Sequence, residues 1–170
     1  DPKTGQILVM VGSKDYFNQE DQGNFNVALA HRQPGSAIKP FIYAEAFKKG
    51  YSPDTVIFDV QTEFNPTCLY VYNYNASNTP ETLEDMRKKD QCYMPENYDH
   101  NYRGPINLRN ALAQSVNIPA VKTLYLAGIN DSLDLMKGMG ITSLTEPDRY
   151  GLTLVLGGGE VSLLELTGAY

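Results

Sequence analysis

The sequence predicts a mainly helical domain opened by a short buried strand, and three observations carry that expectation. From Ser36 to Lys48, Ala37, Ile38, Phe41, Ile42, Tyr43, Ala44, Ala46 and Phe47 surround the helical wheel, the pattern of a buried helix. Leu108, Ala111, Leu112 and Ser115 recur at i, i+3, i+4 and i+7, one face of a second helix. Gln6 to Val11 is a short apolar run between Gly5 and Gly12, which suits a buried strand.

Taken in order, Asp1-Pro2-Lys3-Thr4-Gly5 reads as a turn leading into that strand. Ser13 to Arg32 is polar and reads as irregular surface, and Gly50 is placed to stop the helix that follows. Thr62 to Tyr102 holds Pro66, Pro80 and Pro95 among many Asn and Tyr, so a long loop or irregular insertion is expected. Asn107 suits an N-cap, and Pro119 suits the first residue of another helix with Val121, Leu124 and Tyr125 on one face. Asp131 suits the cap of a third helix, carrying Leu133, Met136 and Met139 and ending near Gly138 and Gly140. Gly157-Gly158-Gly159 leads into Glu160 to Leu166, helical in composition, and that helix meets no stop signal before Tyr170, which reads as a cut end.

A chain of 170 residues is long enough for one domain with a core. Hydrophobic residues make up 42% and charged residues 20%, which excludes general disorder. The net charge of −6 comes without any basic cluster and argues against a nucleic-acid or anionic-membrane surface. No apolar run approaches the roughly 20 residues that span a bilayer, and no signal peptide opens the chain; any anchor of a parent protein is expected upstream. Cys68 and Cys92 are the two cysteines. No second pair or nearby His completes a zinc set, so the two form either a disulfide closing a surface loop or a pair of free thiols.

Ser36-Ala37-Ile38-Lys39 is the feature with most chemical content. A serine is a poor nucleophile until a neighbouring base takes its proton. At i and i+3 on a helix, Ser36 Oγ and Lys39 Nζ come within hydrogen-bond reach, directly or through one water. Pro34-Gly35 places Ser36 at the helix start, where free N–H groups and the positive dipole end stabilise an oxyanion. Lys39 sits in an otherwise apolar helix, where desolvation disfavours the ammonium and suits it to act as a base. Pro40 is tolerated because it falls in the first turn. Ser115-Val116-Asn117 is a second candidate: Ser115 extends the apolar face of its helix, pointing inward, and Asn117 offers an amide donor and acceptor on the following turn. The plainer alternative has Ser115 bonding back into its own helix and Asn117 capping the next.

Ser-x-x-Lys, then Ser-x-Asn, then Lys-Thr-Gly marks the penicillin-recognising serine enzymes. Arg32 to Phe41 closely resembles the nucleophile segment of the class A, bifunctional penicillin-binding proteins. Asp1 to Leu8 resembles the turn and strand that open their transpeptidase domain, and Arg103-Gly104-Pro105 through Val121 resembles the surroundings of their second motif. Leu156 to Ser162 with Leu164-Glu165-Leu166 resembles a stretch between the second and third motifs. Nearly all of the chain is covered except about 67–94, which reads as an insertion or loop atypical of the family.

The resemblance implies an α+β fold of the β-lactamase/DD-transpeptidase type, an antiparallel sheet with helices on both sides. Residues 1–170 would then form part of a transpeptidase domain, mainly its helical half with one or two N-terminal strands, the C-terminal strands lying beyond Tyr170. It implies that Ser36 attacks the carbonyl between the terminal D-alanines of a peptidoglycan stem peptide and that Lys39 takes its proton. Ser115 would pass a proton to the departing D-alanine, and Asn117, in the same cleft, would hold the substrate's backbone amide. The expected partners are stem peptides and β-lactam antibiotics, with no nucleic acid, membrane contact only through an upstream anchor, and the rest of a transpeptidase domain. Neither metal nor organic cofactor is expected, and the implied location is the extracytoplasmic face of a bacterial membrane. One departure stands out. The only Lys-Thr-Gly, Lys3-Thr4-Gly5, precedes the nucleophile, so it reads as the family's opening turn, the third motif is expected after Tyr170, and the fragment alone is expected to acylate slowly.

Two alternatives remain: a hydrolase of the DD-carboxypeptidase or β-lactamase type, although no residue resembles a deacylating glutamate, or a non-catalytic module that binds penicillin or muropeptides. Glu160 and Glu165 are read as structural, His31 as a solvated loop residue, and His100 as a loop histidine without partners.

Overall fold

Helix formation begins where the apolar pattern surrounds the wheel. In the computed structural model, which describes residues 1–65, 68 and 92–170, α1 spans Lys39–Lys48 and is preceded by a 3₁₀ turn, Gly35–Ile38. Pro40 falls in the first turn of α1, where its missing N–H costs no bond, and Gly50, at φ 101°, terminates the chain reversal after Lys49. Among the described residues the further helices are α2 (Leu108–Ala113), α3 (Asn117–Ala127), α4 (Ile129–Gly138), the single turn α5 (Pro147–Tyr150) and α6 (Leu163–Ala169). A 3₁₀ segment, Gly151–Leu156, follows α5 directly. Two strands, β1 (Val56–Asp59) and β2 (Gly104–Asn107), pair antiparallel with Ile57 opposite Ile106 and Asp59 opposite Gly104.

The chain divides into two compact units, 1–52 with 120–170, and 53–119. In the first, Ile38, Ile42, Tyr43, Val121, Leu124, Met136, Ile141, Leu154 and Val155 are all essentially removed from solvent. Each such side chain contributes about 1.5–3 kcal/mol on burial, so this cluster fixes α1 and the turn before it. α1 packs on α4 and on the Gly151–Leu156 segment, and the Lys49 ammonium pairs with Asp131 of α4. In the second unit the sheet packs through Ile57 and Ile106 on Ala111 and Val116. Asn107 caps α2 as its sequence suggested, its side-chain oxygen accepting from the Asn110 N–H at 2.9 Å.

The class expected from the sequence holds: the protein is helix-rich with a small antiparallel sheet, but the strands lie elsewhere. Residues 6–11 form no strand, and Leu8 and Val9 are 72% and 79% exposed, because an extended segment becomes a strand only when a second edge satisfies its N–H and C=O groups. α3 starts two residues before Pro119, and α4 is preceded by Gly128 at φ 83° while Asp131 lies within its first turn. α6 starts at Leu163 rather than Glu160, since Ser162 and Glu165 form a reciprocal capping box. Most of the stretch 67–94, read as an insertion, lies outside the described residues. Its base is closed by a Cys68–Cys92 disulfide, which resolves the alternative left open by the sequence. Among the described residues no helix is long and apolar enough to cross a membrane.

Candidate active site

The nucleophile candidate is presented by a backbone that changes direction at Pro34-Gly35. Gly35 adopts φ 57°, and the 3₁₀ turn then carries Ser36 on the surface while Ile38 packs inward. The Lys39 N–H donates to the Ser36 carbonyl, closing this turn. Lys39 thus follows Ser36 by one 3₁₀ turn and is itself the first residue of α1. Lys39 is 1% exposed although it is a lysine. Burial lowers its pKa from 10.5 to about 8, since desolvation penalises the charged ammonium.

Three contacts hold this turn from outside. Arg32 forms an antiparallel bridge with Val161, with N···O distances of 3.0 Å in both directions. Gly157, at φ 91°, lies so close that a Cβ there would stand 2.4 Å from the Gly35 nitrogen, which accounts for the first glycine of the 157–159 run. The Tyr170 hydroxyl donates to the Ala37 carbonyl at 2.9 Å while its ring stacks edge-on against Phe41. The base of α6 is tied in by Glu165, whose carboxylate accepts from Thr142, Ser143 and Ser162. Burial raises the Glu165 pKa, but these hydrogen bonds outweigh it and bring the pKa to about 2. The structural role read for Glu165 is therefore what its contacts give.

Ser115 and Asn117 belong to the second unit. The sequence placed Ser115 inward on the apolar face of α2; the structure instead ends α2 at Ala113 and leaves Ser115 exposed at φ 54°. The Ser115 N–H bonds to the Leu112 carbonyl and the Val116 N–H to Ala111, so Ser115 occupies the left-handed position after a helix that glycine usually takes. A serine held there costs about 1 kcal/mol or more, and such strain concentrates at functional positions. Helical periodicity, extended one turn past the real end of α2, pointed the side chain the wrong way. Asn117 opens α3, half-buried: its N–H donates to Asn97 Oδ1 at 3.1 Å, and its side-chain amide donates to the Glu96 carbonyl at 2.9 Å.

Sequence reasoning missed Asp59 and Asn97, both buried and mutually hydrogen-bonded; the signal available was an aspartate closing the apolar run Val56-Ile57-Phe58. It also left His100 without a partner, whereas Nδ1 lies 3.0 Å from Glu96 Oε2. Glu63, Cys68 and Cys92 form the cluster of potential metal ligands found among the described residues, but the sulfurs are bonded to each other and the Glu63 carboxylate accepts from the Asn65 and Tyr93 N–H groups.

The family model described as the penicillin binding protein transpeptidase domain matches residues 1–96. The chain therefore belongs to the penicillin-binding protein transpeptidase family. Over its full length it is 34% identical to penicillin-binding protein 2D of Bacillus subtilis and covers 21% of that protein. It is 36% identical over 171 residues to penicillin-binding protein 1A of Aquifex aeolicus, of which it covers 20%. It thus spans about a fifth of the length of these curated relatives. The crystal structure of penicillin-binding protein 1A from Haemophilus influenzae superposes with a TM-score of 0.66 at 30% identity, over 88% of this chain and 19% of that one. Pseudomonas aeruginosa PBP2 superposes over 99% of the chain and 43% of its own with a TM-score of 0.70, and at 16% identity shows the shared fold.

Proposed function

We propose that residues 1–170 contribute the nucleophile and base of a D-Ala-D-Ala transpeptidase that cross-links peptidoglycan stem peptides through an acyl-enzyme at Ser36. The observation that carries this reading is a lysine, Lys39, 1% exposed and with a pKa lowered to about 8, one 3₁₀ turn after a surface serine at a glycine-set bend. A buried lysine without a task is rare, because removing its charge from water is costly. In the reaction Ser36 Oγ attacks the carbonyl carbon between the terminal D-alanines, and its proton passes to Lys39 Nζ. The tetrahedral oxyanion collapses, the C–N bond breaks, and D-alanine leaves with a proton supplied through Ser115. The amine of a neighbouring stem then attacks the ester and releases Ser36. Asn117 binds the substrate's backbone amide. β-Lactams acylate Ser36 as mimics of the same peptide end.

The family membership supports the reaction type, and the Cys68–Cys92 disulfide supports an oxidising, extracytoplasmic location. The test is a donor stem peptide ending in D-Ala-D-Ala, incubated with the full-length gene product and a labelled amine acceptor. D-alanine release with formation of the cross-linked amide is expected, and both disappear in Ser36→Ala. D-alanine release to water alone would make the enzyme a hydrolase, and turnover persisting in Ser36→Ala would overturn the assignment.

A further inference from the structure

The N-terminus of α3 begins at Asn117 with backbone N–H groups that have no acceptor inside the helix, and a helix usually supplies one from the residue just before it. Here the acceptor comes from 20 residues away: Asn97 Oδ1 takes the N–H of both Asn117 and Ile118 at 3.1 Å. The other end of the same amide is equally committed. Asn97 Nδ2 donates to the Asp59 carboxylate at 2.8 and 3.0 Å and to the Asn101 carbonyl at 2.8 Å. Asn97 is 2% exposed and Asp59 is fully buried. Because both hydrogens and the oxygen of the amide are engaged, the side chain has a single orientation that satisfies all of them.

We infer that the buried Asp59–Asn97 pair is a positioning device for Asn117, fixing the backbone from which its side chain meets the substrate. The inference rests on the reading above that Asn117 binds substrate. Four further contacts make the arrangement specific to the Ser115–Asn117 turn. The carbonyl of Glu96, the neighbour of Asn97, accepts the Asn117 side-chain amide at 2.9 Å, so adjacent residues hold both the backbone and the side chain of Asn117. On the other flank the Arg103 N–H donates to Asp59 Oδ2 at 2.9 Å, and its guanidinium lies 3.6 Å from the same oxygen. Arg103 Nε then donates to the side chain of Gln114, the residue before Ser115, at 3.1 Å. One buried carboxylate thereby holds both ends of the turn. Stability alone would be served as well by apolar side chains of similar volume, since a buried charge must recover its lost hydration; what the polar pair adds is direction.

The experiment follows acylation of the full-length gene product by a fluorescent penicillin across concentrations, separating the dissociation constant of the first complex from the limiting acylation rate. Asn97→Ala leaves two N–H groups without an acceptor, and Asn97→Asp sets two carboxylates against each other. Each is expected to raise the dissociation constant about tenfold or more while the limiting rate changes less than about threefold, the signature of lost binding rather than lost chemistry. The reciprocal variant Asp59→Asn with Asn97→Asp restores one donor and one acceptor, an aspartate now capping α3. It should bring the dissociation constant back to within about threefold of the starting protein, a rescue that separates positioning from general damage. If the single variants do not fold, the reciprocal variant and its melting temperature carry the test. An unchanged dissociation constant in the single variants, or a reciprocal variant that regains stability without regaining affinity, overturns the inference. An Asn117→Ala variant that binds penicillin normally overturns it together with the substrate-binding reading. If Asn117→Ala weakens binding and the Asn97 variants do not, the inference falls and that reading stands.

Discussion

Lys39 can serve as the base only in its neutral form, so the rate of Ser36 acylation should follow the titration of a single amine. With the pKa lowered by burial to about 8, roughly one lysine in eleven is neutral at pH 7. At the unperturbed value of 10.5 the fraction would be about one in 3,000, so burial alone raises the population of competent base by about 300-fold. The sign follows from the direction of the shift: the neutral form is scarce below about pH 8 and dominant above it. The limiting rate of penicillin acylation by the full-length gene product should therefore rise about tenfold per pH unit from pH 6 to 7.5 and flatten near pH 8 to 9. Lys39→Arg preserves the positive charge and most of the length but cannot lose its proton near neutral pH, and it should lower the limiting rate by about 10³ or more. Stopped-flow acylation across this range measures both. A rate independent of pH between 6 and 9, or a Lys39→Arg variant within about tenfold of the parent, would refute the assignment of Lys39 as base.

Gly157→Ala would place a methyl group 2.4 Å from the Gly35 nitrogen at φ 91°, so it should lower stability by about 1–3 kcal/mol in denaturant titration and slow acylation as the Ser36 turn shifts. Ser115→Gly should leave stability unchanged or raise it by about 1 kcal/mol, since glycine accepts φ 54° freely, while acylation falls by about 10²-fold if Ser115 relays the proton. Glu165 holds a folded pKa of about 2 against 4.5 when free, so its contribution is present above about pH 4.5 and is lost as pH falls from there toward 2. Glu165→Gln should flatten acid unfolding across that window, by about 1 kcal/mol once solvent screening at this half-buried carboxylate is allowed for.

Local chemistry was legible wherever it decided the structure alone. The apolar wheel of Ile38 to Phe47 gave a buried helix, Pro34-Gly35 gave the bend before Ser36, and Asn107 gave a cap, because each needs only its immediate neighbours. Gln6 to Val11 has strand composition but no strand, since pairing depends on an edge that composition cannot supply. Ser115 was aimed inward by a period that stops at Ala113, where the backbone turns left-handed. Asp59 and Asn97 were invisible because their meaning lies in contacts 38 residues apart. The Cys68–Cys92 pairing was open for the same reason: two cysteines declare a bond only when the fold brings them together.

The atom that penicillin acylates decides whether Ser36 is the nucleophile. The full-length gene product is incubated with benzylpenicillin, quenched, digested and mapped by mass spectrometry. A single penicilloyl adduct is predicted on Ser36, absent from Ser36→Ala and slowed by Lys39→Arg. An adduct on another residue, or one that persists at full rate in Ser36→Ala, would contradict the account.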